Sequence, residues 1–228
     1  MLAELVALVV PPCCAVCRAP GMRAADPLCA ACRRALPWLS PATCERCALP
    51  RPCGRRCPAA GAAFERAWAP VAYDGVARDA VRALKFARAR VLADVMAAQM
   101  AACAPPALLV SGTLVPVPAH PRRRRSRGFD PAELIARALA RRTGLALVHA
   151  LRRDASAARQ LGASRCERRD AGRLGFTPGG PAPPRAILVD DVHTTGATLD
   201  ACSMALRDAG SRSVVAITWA RTLYEGPH

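Results

Sequence analysis

The sequence predicts an α/β domain with a mainly parallel sheet flanked by helices, preceded by a small cysteine-rich module. Three observations carry that expectation. Nine of the 12 cysteines lie within the first 57 residues. After Phe64, short apolar runs alternate with stretches of helical periodicity, the pattern of successive βα units. The 228 residues, 52% of them apolar, suffice for one ordinary buried core but not for two full domains. The module is assigned to residues 1–64 and the α/β domain to residues 65–228.

The module is legible from spacing. Its cysteines pair as Cys14-x2-Cys17, Cys29-x2-Cys32, Cys44-x2-Cys47 and Cys53-x3-Cys57, with Cys13 left over. A two-residue gap lets one tight turn aim two thiolates at a single ion, and a tetrahedral Zn2+ needs two such turns. Four pairs therefore predict two structural zinc sites. Consecutive pairing is the simplest: Cys14, Cys17, Cys29 and Cys32, then Cys44, Cys47, Cys53 and Cys57. An interleaved pairing obeys the same spacing, and a single zinc or a redox role is the alternative. The Pro- and Gly-rich loops carry few apolar residues, so metal has to supply the folding energy.

Leu2, Leu5, Val6 and Val9 fit one face of a short helix. The start has a short apolar run over 5–10, Glu4 instead of a basic residue, and Pro11-Pro12 where cleavage would need small residues. These features predict a cytoplasmic, reducing setting in which cysteines bind metal rather than form disulfides. No apolar run approaches the ~20 residues of a bilayer span.

In the α/β part, strands are expected at 67–73, 113–117, 185–190 and 213–219, and helices at 76–86, 91–103, 130–143 and 196–209. Asp130 as N-cap with Pro131 at the first helical position marks one helix start, and Gly210 marks a helix stop. Cys103, Cys166 and Cys202 stand singly on helical stretches and read as small packing residues.

The most informative segment runs from Ala186 to Thr198. Four apolar residues form a buried strand ending in Asp190-Asp191, followed by Val-His-Thr-Thr-Gly-Ala-Thr and then a helix. Ligands of open α/β sheets sit at the carboxyl ends of strands, and a helix N-terminus offers free N–H groups to a phosphate. Gly196 permits close approach, and Thr194, Thr195 and Thr198 add hydroxyl donors. Two carboxylates would repel a phosphate directly, but they suit adjacent ribose hydroxyls with Mg2+ nearby.

Charge adds a second clue. The chain has 33 basic and 17 acidic residues, and residues 121–173 alone carry 15 basic against 5 acidic ones. That stretch suits a polyanion or pyrophosphate, whereas aromatics at 4% argue against a surface that binds bases mainly by stacking. In the module, two Zn2+ on eight thiolates bring a charge of +5 close to neutral, which favours a structural or docking role over nucleic-acid binding.

The segment Val-Asp-Asp-Val-His-Thr-Thr-Gly-Ala-Thr resembles the phosphoribosyl pyrophosphate (PRPP) motif of type I phosphoribosyltransferases. The cysteine pairs, Ala-Trp-Ala-Pro-Val-Ala-Tyr-Asp-Gly (67–75), Leu84-Lys85-Phe86, Val-Pro-Val-Pro-Ala-His-Pro-Arg-Arg (115–123) and Arg127-Gly128-Phe129 extend the likeness. So do Gln160, Ser164-Arg165 and Glu167-Arg168-Arg169 ahead of Phe176. Together they look like the ComF family, which is implicated in natural competence and DNA uptake. The family joins a double zinc ribbon to a type I phosphoribosyltransferase-like domain. This chain departs from its pattern at Asp130-Pro131, where the family usually has Asn-Gln, and at Ala171, where it usually has Asn.

The resemblance implies that Asp190 and Asp191 hold the ribose 2′- and 3′-hydroxyls while Thr194, Thr195, Gly196, Ala197 and Thr198 wrap the 5-phosphate. The loop over 118–123, with Ala119, His120, Arg122 and Arg123, corresponds to a pyrophosphate loop. Arg127 and residues 160–169, including Arg165, correspond to a mobile part that closes over PRPP and Mg2+. Asp190, Asp191 and Arg127 are the catalytic candidates.

Lys85 is a further ligand-binding candidate, or else an exposed charge at a helix end. The run Arg122–Arg125 reads as a pyrophosphate or polyanion contact, or as a solvated loop. His120 and His193 are not assigned acid–base roles, and His193 reads as a solvent-facing loop residue. Two functions are expected: phosphoribosyl transfer to a nitrogenous acceptor, or a PRPP-responsive protein that binds single-stranded DNA and docks competence-machinery proteins.

Overall fold

A computed structural model describes residues 13–20, 22, 26–87, 89–154 and 175–223. Gln160, Ser164, Arg165, Cys166, Glu167-Arg168-Arg169 and Ala171 lie outside the described residues, as does the helix expected over 2–9. The elements run α1 (Ala30–Arg34), β1 (Arg66–Trp68), β2 (Val71–Ala72), α2 (Gly75–Phe86), α3 (Leu92–Cys103), α4 (Pro106–Leu109) and β3 (Thr113–Pro116). They continue with α5 (Pro121–Arg127), α6 (Pro131–Thr143), β4 (Ala146–Leu147), β5 (Leu151–Arg153), β6 (Phe176–Pro178), β7 (Arg185–His193), α7 (Ala197–Asp208) and β8 (Ser213–Arg221).

The main sheet has the order β1-β8-β7-β3-β4, with β2 also pairing β8. Every one of these pairings is parallel, while β5 and β6 form a separate antiparallel pair. A parallel sheet needs both faces covered, and β7 shows how side chains divide between them. Ile187 and Val189 face a core built by α2, α3 and α6, through Val81, Leu84, Met96, Met100, Ile135 and Leu139. Ala186 and Leu188 face the opposite core, closed by Leu199, Cys202 and Leu206 of α7. Trp219 is buried on the first face and satisfies its indole N–H on Gln99 Oε1 of α3 at 2.7 Å.

The cysteine-rich module spans both cores. Cys14, Leu28, Cys32 and Leu36 join the first, whereas Cys47, Ala48, Leu49, Ala59 and Phe64 join the second. Backbone bonds stitch it to the sheet margin: Leu39 N donates to Pro70 O (2.8 Å), Ala72 N to Pro37 O (2.8 Å) and Ala67 N to Glu45 O (2.9 Å).

Several expected elements are corrected. The strand at 67–73 is broken into β1 and β2, because Pro70 has no N–H to give a ladder and its carbonyl serves Leu39 instead. β7 does not stop at Asp190 but runs to His193, and β8 runs past Trp219 to Arg221. The register explains both extensions, since Asp190 pairs with Thr218, Val192 with Ala220 and His193 with Arg221. The arginine run is a helix, not a solvated loop. His120 caps it by accepting from Arg122 N, Pro121 opens it, and Gly128 closes it at φ 75°. β4, β5 and β6 escape sequence reading because two or three residues carry no legible period.

Candidate functional site

The C-terminal end of β7 opens into a cavity of about 180 Å³. Lys85, Ala119, His120, Arg123, Arg127, Asp190, Asp191, Thr194 and Thr198 all line it, joined by Asp130 and Arg153. Of the expected ligand contacts, Arg122 does not line this cavity and Arg165 is outside the described residues. Thr195, Gly196 and Ala197 instead border a neighbouring cavity of about 510 Å³ facing residues 56–62 and Phe64. The loop at 194–198 is therefore a wall between two spaces.

Lys85 is not an exposed helix-end charge. The amphipathic face of α2 packs Val81 and Leu84 inward, which brings the next residue's ammonium to 2.8 Å from Asp191 Oδ1. Asp191 is only 5% exposed. Burial pushes the Asp190 carboxyl well above its usual range; the Asp191 charge adds to this, while the Lys85 ammonium opposes it. Asp130 is also raised, by burial first, although the N–H groups of Ala119 (to Oδ2, 2.7 Å) and Ala132 (to Oδ1, 3.1 Å) favour its anion. Three carboxyl groups thus crowd one cavity, countered by Lys85 and by the guanidinium groups of Arg123, Arg127 and Arg153.

Two of the cavity's arginines are held by rings. Arg127 ends α5 with its guanidinium carbon 5.0 Å from the Phe86 centroid, and Arg153 lies 4.8 Å from that of Phe176. Lys85 and Phe86, adjacent in sequence, therefore each serve the cavity, one as an ion-pair partner and the other as a platform. Arg127 stands on a short helix rather than in a loop.

His193 is not a solvent-facing loop residue. It ends β7 at 2% exposure, edge-on to Phe64 at 6.2 Å between centroids, and its Nδ1 has no hydrogen-bond partner among the described residues. A Cβ on Gly196, whose φ is +87°, would come within 3.0 Å of His193 Nε2. Burial, then the Arg221 charge, pushes the His193 imidazole from 6.5 down to about 3. The unfolded chain therefore takes up this proton first as pH falls, and stability is lost below pH 6.5. By pH 5 the loss is about 2 kcal/mol, and His193→Gln is expected to remove it in denaturation measured at pH 7 and pH 5. The same acid loss in the variant would assign it to other groups.

The module's thiols form two tetrads. Cys14, Cys17, Cys29 and Cys32 make one and Cys44, Cys47, Cys53 and Cys57 the other, with all sulfurs of a tetrad within 4.8 Å of one another. This is the consecutive pairing, and the three-residue gap between Cys53 and Cys57 does not disturb it. The spacings Cys14–Cys32 (3.8 Å), Cys17–Cys29 (3.6 Å) and Cys44–Cys57 (3.9 Å) suit a tetrahedron. With Zn–S bonds of about 2.3 Å its edge is about 3.8 Å. Burial raises the Cys14 thiol, but N–H donors from Cys29, Cys17 and Val16 outweigh it and bring it down to about 6. Backbone N–H groups of Cys47 and Arg46 do the same for Cys44, to about 7. Burial, with the neighbouring sulfurs adding to it, pushes the Cys32 and Cys47 thiols up; four sulfurs with no carboxylate is the donor set of structural zinc.

Residues 5–61 match the double zinc ribbon domain family. The N-terminal module is a double zinc ribbon. No curated protein matches the chain.

Three residues near the ribbon and the cavity escape sequence reading. Asp130 is legible as a helix cap but not as a cavity wall, and Arg153 ends a strand too short to detect. Arg221, near the C-terminus, shows no motif, yet it is 1% exposed and bonded to the second ribbon. Cys202 is buried as expected, whereas Cys103 is exposed. No helix among the described residues is long and apolar enough to cross a membrane.

Proposed function

We propose that this chain is a cytoplasmic PRPP-binding, phosphoribosyltransferase-like protein of DNA uptake. The observation that carries the reading is the cavity at the end of β7, where Asp190 and Asp191 meet Lys85, Arg123 and Arg127 beside the loop preceding α7. In this reading Asp190 and Asp191 accept from the ribose hydroxyls. Thr194 and Thr198, the loop residues that line this cavity, hold the 5-phosphate together with the N-terminus of α7. Arg123 and Arg127 face the pyrophosphate, with Arg122, next to Arg123 on α5, as a further cation.

Three carboxyl groups at one cavity are hard oxygen donors of the kind Mg2+ takes. Mg2+ would supply charge neutralisation across pyrophosphate oxygens. For transfer to a nitrogenous acceptor, the C1–oxygen bond breaks, positive charge grows on the ribose ring and the arginines stabilise the departing pyrophosphate.

The test is calorimetric titration of zinc-loaded protein with PRPP and Mg2+, beside Asp190→Asn. Saturable binding by the parent, lost in the variant, is expected. The variant should also be the more stable protein. The Asp190 carboxyl is raised on folding, so the unfolded chain releases this proton first and the folded state loses stability as pH rises above the usual carboxylate range. Removing the charge should return about 0.5–2 kcal/mol at neutral pH, the trade of stability for function common at such sites. Absence of binding by the folded, zinc-loaded parent would sink the PRPP reading.

A second reading is favoured by one feature: Arg122, Arg124 and Arg125 are exposed on α5 at the rim of the cavity, within the most basic stretch of the chain. There a single-stranded DNA could be held while the ribbon docks competence-machinery proteins. Changing these three arginines to Ala should flatten the salt dependence of DNA binding, and an unchanged slope would place the contact elsewhere.

A further inference from the structure

Arg221 ends β8 directly opposite His193 of β7, at 1% exposure. Its Nε donates to Cys47 O at 2.8 Å. Its Nη1 donates to His193 O at 3.0 Å, to Thr222 O at 2.9 Å and to Thr194 O. The planar guanidinium thus joins the Cys44–Cys47 turn, which supplies two thiolates of the second tetrad, to the last residue of β7 and the first of the 194–198 loop. The same ribbon approaches the loop from its far side, where Phe64 packs its ring against His193. The first tetrad lies in the core on the other face of the sheet.

We infer that Arg221 is a positioning residue through which the second cysteine tetrad sets the shape of the 194–198 loop. Ligand affinity at that loop then depends on metal at Cys44, Cys47, Cys53 and Cys57 rather than at the first tetrad. The dependence on ligand rests on the reading of this loop as a phosphate site. The mechanical coupling does not, because it follows from the bonds of one buried side chain. A ribbon holding its ion presents Cys47 O in one place. A ribbon without it releases that carbonyl, and the guanidinium that holds the carbonyls of His193 and Thr194 loses one of its anchors.

The test uses the full chain and three variants: Cys53→Ser, Cys17→Ser and Arg221→Lys. Zinc content, amide exchange and PRPP affinity with Mg2+ are measured on each. The informative amides are Ala197, Asp200 and Thr222, which donate to Thr195 Oγ1, Gly196 O and His193 O. Cys53→Ser should lose one zinc and exchange these amides about tenfold faster, the scale of one lost charge-assisted hydrogen bond. Cys17→Ser should also lose one zinc while leaving them as in the parent. Arg221→Lys should keep both zincs yet show the fast exchange, because an ammonium cannot reach all the carbonyls at once.

The coupling is overturned if the two cysteine variants move these amides alike, if neither does, or if Arg221→Lys exchanges like the parent. Should a cysteine variant fail to fold, Arg221→Lys decides alone. Failure of PRPP to bind the parent would remove the ligand reading and leave the exchange result standing.

Discussion

Removing both zinc ions from the full chain will collapse the whole molecule, not the first 64 residues alone, whereas loss of one ion leaves the other core closed. Each tetrad contributes buried cysteines to a different core: Cys14 and Cys32 to the face covered by α2, α3 and α6, and Cys47 to the face covered by α7. Leu28, Leu36, Leu49 and Phe64 accompany them, so an unfolded ribbon exposes apolar surface on both sides of the sheet. Structural zinc is worth about 10–16 kcal/mol in small ribbons, against a total stability of about 5–15 kcal/mol for an ordinary domain. A chelated sample should lose its cooperative melting transition and the exchange protection of β7 and β8. If these strands kept a transition within about 3 °C of the loaded protein, a shift of about 1 kcal/mol, the ribbon would be an appendage rather than part of the core.

Replacing Lys85 with Met will destabilise the protein by about 3–5 kcal/mol at pH 8, because a buried carboxylate loses its partner. Asp191 is engaged by the Lys85 ammonium at 2.8 Å, with Asp190 beside it and Asp130 in the same cavity. Without the ammonium, the neighbouring Asp190 carboxyl, already raised by burial, loses the charge that opposes the rise, so the penalty should shrink at pH 5. The double variant Lys85→Met with Asp191→Asn should regain most of the loss, since the cost belongs to the unpaired charge. Denaturant midpoints at the two pH values provide the measurement. Parent-like midpoints for the single variant at both would show that water already screens the carboxylate.

How much of this was legible follows from the range of each interaction. The strand–loop–helix at 186–198 could be read because the apolar run, the acidic pair, the hydroxyls and Gly196 are consecutive. Asp130 as a cap and Gly210 as a stop are likewise one-turn chemistry, and the four expected helices lie within a residue or so of their bounds, whereas the three short ones at 30–34, 106–109 and 121–127 were not foreseen. The same local logic misled at His193. A histidine among threonines looks solvated, yet the β7–β8 ladder carries it into the interior. Likewise, four successive arginines look like a loop until Pro121 and Gly128 are seen to bracket a helix.

By itself, the sequence determined the four cysteine pairs and the βα segment that ends in Asp190-Asp191, while the structure chose the consecutive grouping of those pairs into tetrads. Turn geometry, donor type and apolar period are properties of neighbours along the chain. Only the tertiary structure decided that Lys85 neutralises Asp191, that Arg153 and Asp130 share their cavity, and that Arg221 ties the second ribbon to the loop. These partners lie far apart in the chain and meet because two packed cores and a parallel register bring them together. Periodicity marks which face of an element is buried, but not which residue of another element will stand opposite it.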